Sequence, residues 1–198
     1  MFSAAILIGG KATRFDGRDK SALVVDGETI LSRQLKAVSI VAADVLLVGG
    51  PAHMAPPPAR AVADIVPGCG PLGGLHAALS SAAFDPTLLL ACDMPFVTAP
   101  LLGHLLSLAR QADAVDVVVP KTERGYHPLC AVYTRACLEP AARRLARGAL
   151  KLAAMFDEVR VRVVTADALA AFGDPDRLLA NVNTSSEYRA IGANGTPS

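Results

Sequence analysis

A loop rich in glycine and cations follows the first apolar run of this 198-residue chain, and its residue types suit anion binding. It begins at Gly9 and Gly10 and carries Arg14 and Lys20. Glycines let backbone N–H groups approach an anion, a guanidinium supplies a planar fork of donors, and an ammonium supplies a mobile positive charge. These residues predict a phosphate site, with an ordinary solvated loop as the competing interpretation.

The loop carries neither of the two common nucleotide fingerprints. G-x-G-x-x-G cannot be laid on it, and G-x-x-x-x-G-K-[ST] fails because Asp19, not glycine, precedes Lys20. A connection of about a dozen residues without periodicity is long for a compact domain, and such loops are usually functional or disordered. The length of the loop therefore favours a functional role.

Proline and glycine dominate a second segment, which runs from Asp64 to Gly74. Its last part, Gly70, Pro71 and Leu72, lies where a first-turn proline would open a helix. This rigid segment, residues 64–74, is called the wall below. A flat base can lie against it while Asp64 accepts a hydrogen bond from the base or from a ribose hydroxyl. The alternative is a tight turn with Asp64 as a surface acid, which turn chemistry alone favours.

Asp93 follows the most apolar run of the chain, which predicts a carboxylate at the carboxyl end of a buried strand. Mg²⁺ takes one or two carboxylates and completes its shell with phosphates and water, so a single aspartate suffices. A helix N-cap is the alternative role of Asp93, because aspartate is also favoured at caps.

Four later polar residues are candidates for contact with a second, anionic substrate. Arg124 and His127 lie in a polar connection, and Asn181 and Asn183 flank Val182 in an extended segment. Alternation places Val182 inward and both asparagines on the other face, able to bridge phosphate, metal-bound water or backbone. Plain surface residues and turn asparagines are the alternatives.

Short apolar runs alternate with helical patterns and predict the elements that position these residues. Continuous runs at Ala4–Ile8 and Thr87–Cys92 are typical of strands covered on both faces. Further strands are predicted at 44–48, 61–65, 115–119, 128–133 and 159–165, and helices at 29–41, 72–83, 100–111 and 135–147. This rhythm predicts an α/β fold with a doubly wound sheet, whose ligand crevice lies beyond the carboxyl ends of the strands.

Composition excludes several classes of protein. Lys and Arg total 19 against 18 Asp and Glu, so no bulk cationic field favours nucleic acid or an acidic membrane. No apolar stretch reaches the roughly 18 residues of a membrane span, and the N-terminus lacks a secretory pattern. We therefore expect a soluble, cytoplasmic protein. The four widely spaced cysteines predict buried thiols rather than a zinc site or disulfides.

Five segments form an ordered set along the chain: L-x-G-G-x-x-x-R-x-x-G-x-D-K at 7–20, D-x-x-P-G-x-G-P-L-x-G at 64–74, C-D-x-P at 92–95, H-P-L-x-A-V-Y at 127–133 and N-V-N-T at 181–184. Their order and spacing resemble the molybdenum cofactor guanylyltransferases, the MobA family of the nucleotidyltransferase superfamily. The length of the chain fits this family of single-domain proteins, and one domain is expected over residues 1–191. The sequence itself predicts a loose tail at 192–198. The resemblance also implies a Rossmann-like, mostly parallel sheet with helices on both faces, similar to nucleotide-diphospho-sugar transferases.

The resemblance further implies the reaction and its residues. GMP passes from GTP to the terminal phosphate of molybdopterin with Mg²⁺ as cofactor, and pyrophosphate leaves. Carried over by position, the nucleotide contacts fall on Leu7, Ile8, Gly9, Lys20 and Asp64, with Asp93 as the metal ligand. The loop and the wall add Gly10, Gly70, Pro71 and Leu72, and the catalytic set is Arg14, Lys20 and Asp93. Partners of the family are molybdoenzymes or proteins that deliver the cofactor.

Three positions depart from the pattern of the family. Ile8 stands where alanine is usual, Asp16 where glycine is usual, and Gly49-Gly50 replace an asparagine. These departures concern base contacts rather than phosphate chemistry, and Gly9-Gly10 resembles the guanylyl branch. One alternative is a sister enzyme that uses CTP or loads another phosphorylated acceptor. Another is a nucleotide-binding regulatory module without turnover.

Overall fold

A mixed eight-stranded sheet lies between two helical layers in the computed structural model, which describes residues 1–8, 23–50, 55–111, 115–182 and 188 and the backbone of 14–15 and 18–19. The strands are β1 (Ser3–Leu7), β2 (Arg14–Phe15), β3 (Arg18–Asp19), β4 (Val24–Val25), β5 (Glu28–Thr29), β6 (Asp44–Val48), β7 (Arg60–Val62), β8 (Thr87–Ala91), β9 (Val117–Thr122), β10 (Gly125–Tyr126), β11 (Cys130–Tyr133) and β12 (Val161–Thr165). The helices are α1 (Ile30–Val41), α2 (Gly70–Ser81), α3 (Ala99–Gln111), α4 (Leu138–Ala146), α5 (Ala166–Leu169) and α6 (Pro175–Leu178), and 3₁₀ turns cover Arg135–Cys137, Leu152–Glu158 and Ala170–Phe172.

The order of strands in the sheet is β10-β9-β11-β8-β1-β6-β7, with β12 paired to β9. Strands β8, β1, β6 and β7 are mutually parallel, β12 is parallel to β9, and β11 is antiparallel to both of its neighbours. The predicted fold class, a mostly parallel α/β sheet with helices on both faces, is confirmed. Leu7 aligns with Val48 and with Ala91, and Val48 aligns with Val62, so the four parallel strands end at one edge.

The two faces of the sheet bury separate apolar layers because alternate residues of each strand point in opposite directions. In β1 and its extension, Ala4, Ile6 and Ile8 pack in the layer of α1 and α3. Ala5 and Leu7 pack in the layer of α2 and α4. Every residue of β8 is buried, as its continuous apolar run predicts.

Helix α1 begins where its sequence pattern predicts. The Thr29 side chain accepts a hydrogen bond from the Ser32 N–H and so satisfies one of the free donors of the first turn. Ile30, Leu35 and Val38 are buried at helical spacing, and the polar Gln34 is buried among them. The helix therefore has a mostly apolar buried stripe with one amide inside it.

The structure corrects several predicted boundaries. The strand predicted at 61–65 ends at Val62, because β7 is the edge strand of the described sheet and the strand it pairs with there, β6, ends at the opposing Val48. The helix predicted at 135–147 begins as a 3₁₀ turn and becomes α-helical at Leu138, which places Pro140 in the first turn, where its missing N–H costs nothing.

Two local features differ from the sequence predictions. The glycine-rich loop contains a small antiparallel pair in which Arg14 faces Asp19 and Phe15 faces Arg18. Three cysteines are buried as predicted, but Cys69 is partly exposed, because it lies in the loop before α2 rather than in the core. Across the described ranges, no helix combines the length and apolar character that crossing a membrane requires. The predicted tail at 192–198 lies outside them.

Candidate active site

The carboxyl edge of the four parallel strands carries Leu7, Ile8, Asp64 and Asp93, which are described residues among the predicted nucleotide contacts. Backbone pairing continues one residue past the strands: Ile8 N–H donates to Val48 O at 2.9 Å, and Cys92 N–H donates to Leu7 O at 3.1 Å. Asp93 follows β8 at one end of this edge and Asp64 follows β7 at the other, with β1 and β6 between. Three strand spacings separate β8 from β7, which is roughly 14 Å.

The backbone of the turn that carries Asp93 accepts hydrogen bonds from three residues, Gln34 and Arg33 of α1 and Val182. Gln34 Nε2 donates to Ala91 O at 2.7 Å and to Met94 O at 3.0 Å. Val182 N–H donates to Asp93 O at 2.8 Å. Arg33 Nε donates to Pro95 O at 3.1 Å. The backbone on both sides of Asp93 is therefore fixed to α1 and to the 181–182 segment.

Asp64 is half-buried in the connection between β7 and α2. Burial raises the pKa of this carboxyl above its ordinary value, because the ionised form is disfavoured where water is partly excluded. Asp64 is therefore partly shielded from water, and its role as a ligand contact or as a surface acid stays a prediction. A partly desolvated carboxylate is a strong acceptor for N–H or O–H donors of a ligand.

Two adjacent glycines allow close packing at the start of α2, Gly74 against Leu7 of β1 and Gly73 against the loop before the helix. A Cβ on Gly74 would lie 2.8 Å from Leu7 Cδ2, and one on Gly73 would lie 2.9 Å from Cys69 Cβ. Gly70 and Pro71 are exposed at the start of the helix, and Pro71 occupies the predicted first turn. Leu72 is fully buried, so its side chain belongs to the core.

Two departures from the family pattern prove to be one packing feature. The side chain of Ile8 fills the space beside Gly50, since a Cβ on that glycine would lie 2.3 Å from Ile8 Cδ1 and 2.8 Å from its Cγ1. Ile8 is buried. The large side chain of Ile8 after β1 therefore fits only because Gly50 after β6 has no side chain.

Two of the predicted second-substrate residues, His127 and Asn181, lie beside the turn that carries Asp93, on the side away from Asp64. This turn, residues 92–95, is called the acidic turn below. His127 and Asn181 line a cavity of about 120 Å³ that also includes Met94 and Tyr126. Because Met94 follows Asp93, this cavity borders the acidic turn. Arg124 lies outside this lining, and its Nε is 3.5 Å from Asp176 Oδ1.

The surroundings of His127 favour the neutral form of its imidazole. Burial, followed by the positive charge of Arg124, lowers its pKa, and these effects outweigh the opposing charge of Asp176. Nε2 of the ring and Thr122 Oγ1 share a hydrogen bond of 2.9 Å. A neutral ring in this cavity can exchange hydrogen bonds with a ligand without adding a charge.

For some predicted site residues, the role stays a prediction. Gly9, Gly10, Lys20 and Asn183 lie outside the described residues, and Arg14 is described only through its backbone pairing. Val182 is fully buried, as the predicted alternation requires, while Asn181 is exposed. Sequence reasoning missed Gln34 and Arg33, although a polar residue on the buried stripe of an amphipathic helix was a usable signal.

A larger cavity of about 570 Å³ lies between α1, the 95–99 segment and residues 173–178. None of the predicted site residues that the structure describes lines this cavity. In the chain as far as it is described, no group of three or more His, Cys, Asp or Glu side chains is placed to hold a metal ion.

Comparison with known proteins identifies relatives over most of the chain. The family model described as the MobA-like NTP transferase domain matches residues 4–163. The molybdenum cofactor guanylyltransferase of Desulfosudis oleivorans is 35% identical over 184 residues, which cover 92% of this chain and 90% of that protein. The probable molybdenum cofactor guanylyltransferase of Pelotomaculum thermopropionicum is 34% identical over 186 residues, with 93% and 89% covered.

A solved structure shares the architecture. Molybdopterin-guanine dinucleotide biosynthesis protein A from Archaeoglobus fulgidus superposes with a TM-score of 0.82 at 24% identity, covering 97% of each chain. At this identity the likeness establishes the fold.

Proposed function

We propose that this chain, which belongs to the MobA-like NTP transferase family and is a nucleotidyltransferase, transfers GMP from GTP to the terminal phosphate of molybdopterin. That the chain belongs to this family confirms the resemblance found in the five sequence segments. The observation that carries the proposal is the sheet edge on which Asp64 and Asp93 follow strands separated by β1 and β6. The relatives named as guanylyltransferases support the choice of substrates.

The nucleotide is proposed to lie along this edge. Its base and ribose lie toward Asp64 and the wall that ends at α2, and its phosphates lie toward Asp93. The span of roughly 14 Å between the two outer strands suits an extended nucleoside triphosphate. Arg14, Lys20 and the amides of Gly9 and Gly10 are proposed to hold the triphosphate from the loop after β1.

The acidic turn fits a Mg²⁺ ion. Mg²⁺ needs only one or two protein carboxylates when phosphates and water complete its shell, and Asp93 supplies one on a backbone fixed at both sides. When bound, the ion neutralises charge on the nucleotide phosphates and so favours displacement at phosphorus.

The acceptor is proposed to enter through the cavity lined by His127 and Asn181. That cavity borders Met94, so the acceptor phosphate approaches the same turn from the side opposite Asp64. The phosphate oxygen attacks the α-phosphorus of GTP in line, a new P–O bond forms, and the bond to the leaving pyrophosphate breaks. A phosphate monoester is mostly a dianion at pH 7 and needs no general base. The protein then acts by alignment and charge neutralisation.

A panel of labelled nucleotides tests the proposal. The chain is incubated with GTP, CTP or ATP, with and without molybdopterin, and pyrophosphate release is measured as relative kcat/KM. We expect release from GTP that depends on molybdopterin. A preference for CTP would overturn the guanylyl assignment, and release without molybdopterin would overturn the acceptor assignment.

A further inference from the structure

One buried side chain on α1 closes the turn that carries Asp93. Gln34 is fully buried, and its amide nitrogen donates to two carbonyls, Ala91 O at 2.7 Å and Met94 O at 3.0 Å. Both partners are acceptors, so the amide must present its nitrogen to them. Ala91 is the last residue of β8, and Met94 directly follows Asp93. The two hydrogen bonds therefore bracket the acidic residue.

The position of Gln34 is unfavourable for packing alone. Its Oε1 is buried and has no hydrogen-bond partner within the described part of the chain. A buried acceptor without a partner is costly, and an apolar side chain of the same length would avoid that cost. The favourable contribution of glutamine here lies in the two hydrogen bonds that its nitrogen donates.

These hydrogen bonds fix the turn to a rigid element. Helix α1 is capped at Thr29 and buried along Ile30 and Val38, so it provides a stable reference for the turn. On the far side, Val182 N–H holds Asp93 O. With Ala91, Asp93 and Met94 each bound through the carbonyl, the Cα of Asp93 has little freedom to move.

We propose that Gln34 is a positioning residue that holds the Asp93 carboxylate in place to bind a divalent cation with the nucleotide phosphates. This inference rests on the proposed function for the metal-binding role of Asp93. Gln34 touches neither substrate nor metal and acts through the backbone of the turn. Loss of residues that orient a metal ligand typically weakens metal binding roughly 10- to 100-fold.

The test compares Gln34→Met with Val38→Ala. Methionine keeps the length of the side chain and removes both donors, whereas Val38→Ala loosens the same helix one turn away without touching the acidic turn. Gln34→Leu provides a second donor-free side chain if methionine packs poorly. Three quantities are measured on each full-length protein: thermal stability, backbone amide exchange over residues 88–98 without ligand, and binding of Mn²⁺ with GTP by electron paramagnetic resonance.

We expect Gln34→Met to accelerate exchange at residues 92–95 and to weaken Mn²⁺ binding at least about tenfold. Its thermal stability should also fall, because the carbonyls of Ala91 and Met94 lose their donor. Val38→Ala should lower thermal stability and leave Mn²⁺ binding within twofold of the parent. Unchanged exchange, or unchanged Mn²⁺ binding, in both Gln34 variants would overturn the proposal. Neither readout requires turnover, so a parent protein that fails to release pyrophosphate from GTP would overturn only the proposed function.

Discussion

Asp93 and Asp64 are carboxylates at one sheet edge, but their surroundings differ, and we propose different roles for them. Asp93 lies in a turn whose carbonyls are bound by Gln34 and Val182, which suits a ligand that must not move. Asp64 is partly desolvated and has a raised pKa, which suits an acceptor for ligand donors. The two residues therefore call for different experiments.

Asp93→Asn should lower turnover roughly a hundredfold to a thousandfold, because an amide cannot balance a divalent cation near the phosphates. The thermal melting temperature should stay close to that of the parent, since the amide fits the same turn. Initial rates with GTP and molybdopterin measure the effect. Asp157→Asn, at an exposed aspartate in the 3₁₀ turn before β12, is the matched control. Turnover within a few-fold of the parent would leave Asp93 without a metal role.

Asp64→Asn should weaken GTP binding about 10- to 100-fold while leaving thermal stability equal or higher at pH 7. The sign follows from burial: the folded pKa is raised, so the ionised carboxylate costs stability at neutral pH, and the amide removes that cost. In the parent, GTP affinity should fall on acidification with a midpoint above that of an ordinary aspartate. Calorimetric titration across pH tests both statements, and the pH dependence should flatten in the variant. A variant with parental affinity would exclude Asp64 from the nucleotide site.

At the scale of elements, the end of β1 is shaped by what packs beside it. Leu7 contacts the start of α2 at Gly74, and Ile8 occupies the space beside Gly50 after β6. Neither contact follows from local periodicity, since each joins segments that are distant in sequence. Ile8 and Gly50 were visible in the sequence only as two separate departures.

Gly50→Ala should destabilise the fold by about 1–3 kcal/mol, because its new methyl group overlaps Ile8 Cδ1. Ile8→Ala should cost about 2–5 kcal/mol through the cavity it leaves. The double variant should be more stable than the sum predicts, with a coupling of about 0.5–3 kcal/mol. Urea denaturation measures each free energy of unfolding. Gly103→Ala and Ile8→Ala form the control pair, because Gly103 faces Val41 rather than Ile8. Their effects on the free energy of unfolding should be additive. Strictly additive losses of unfolding free energy for Gly50→Ala and Ile8→Ala would contradict the packing of Ile8 against Gly50.

At the scale of the whole molecule, two ionic clusters bind distant parts of the chain. Asp116 accepts hydrogen bonds from the guanidinium and the backbone N–H of Arg160, which joins the segments that lead into β9 and β12. Asp44 accepts from Arg60, from Ser3 Oγ and from Ala83 N–H, which joins β1, β6, β7 and the segment after α2. Both clusters lie on elements of the sheet scaffold.

These two carboxylates should make the fold sensitive to acid. The hydrogen bonds from Arg160 lower the pKa of Asp116 despite burial, and burial of Asp44 is outweighed by its hydrogen bonds from Arg60, Ala83 and Ser3. A lowered folded pKa means stability that is present above the ordinary carboxyl range and lost as pH falls below about 4. Urea midpoints measured from pH 7 to pH 3 should show this loss. Asp116→Asn should be less stable at pH 7 and should lose less on acidification, and an unchanged slope would contradict the assignment.

The sequence predicted most of the scaffold and only part of the site. Strand β8 and helix α1 follow from apolar runs and helical spacing, which are local signals. The hydrogen bonds from Gln34 to Ala91 and Met94 cross 57 and 60 residues, so only the folded chain reveals them. The partial exposure of Cys69 was missed because spacing alone does not separate a core thiol from one in a loop. The roles of Lys20 and Asn183 stay predictions.

The hydrogen bond from Val182 to Asp93 also sets the order in which the site is finished during synthesis. Ribosomes build chains from the N-terminus, so the loop after β1, the wall before α2 and the acidic turn all emerge before residue 182 does. Until then the carbonyl of Asp93 lacks the donor that secures it on the side away from α1. The proposed site for metal and nucleotide therefore reaches its final geometry only after residue 182 has been translated and has packed against this turn.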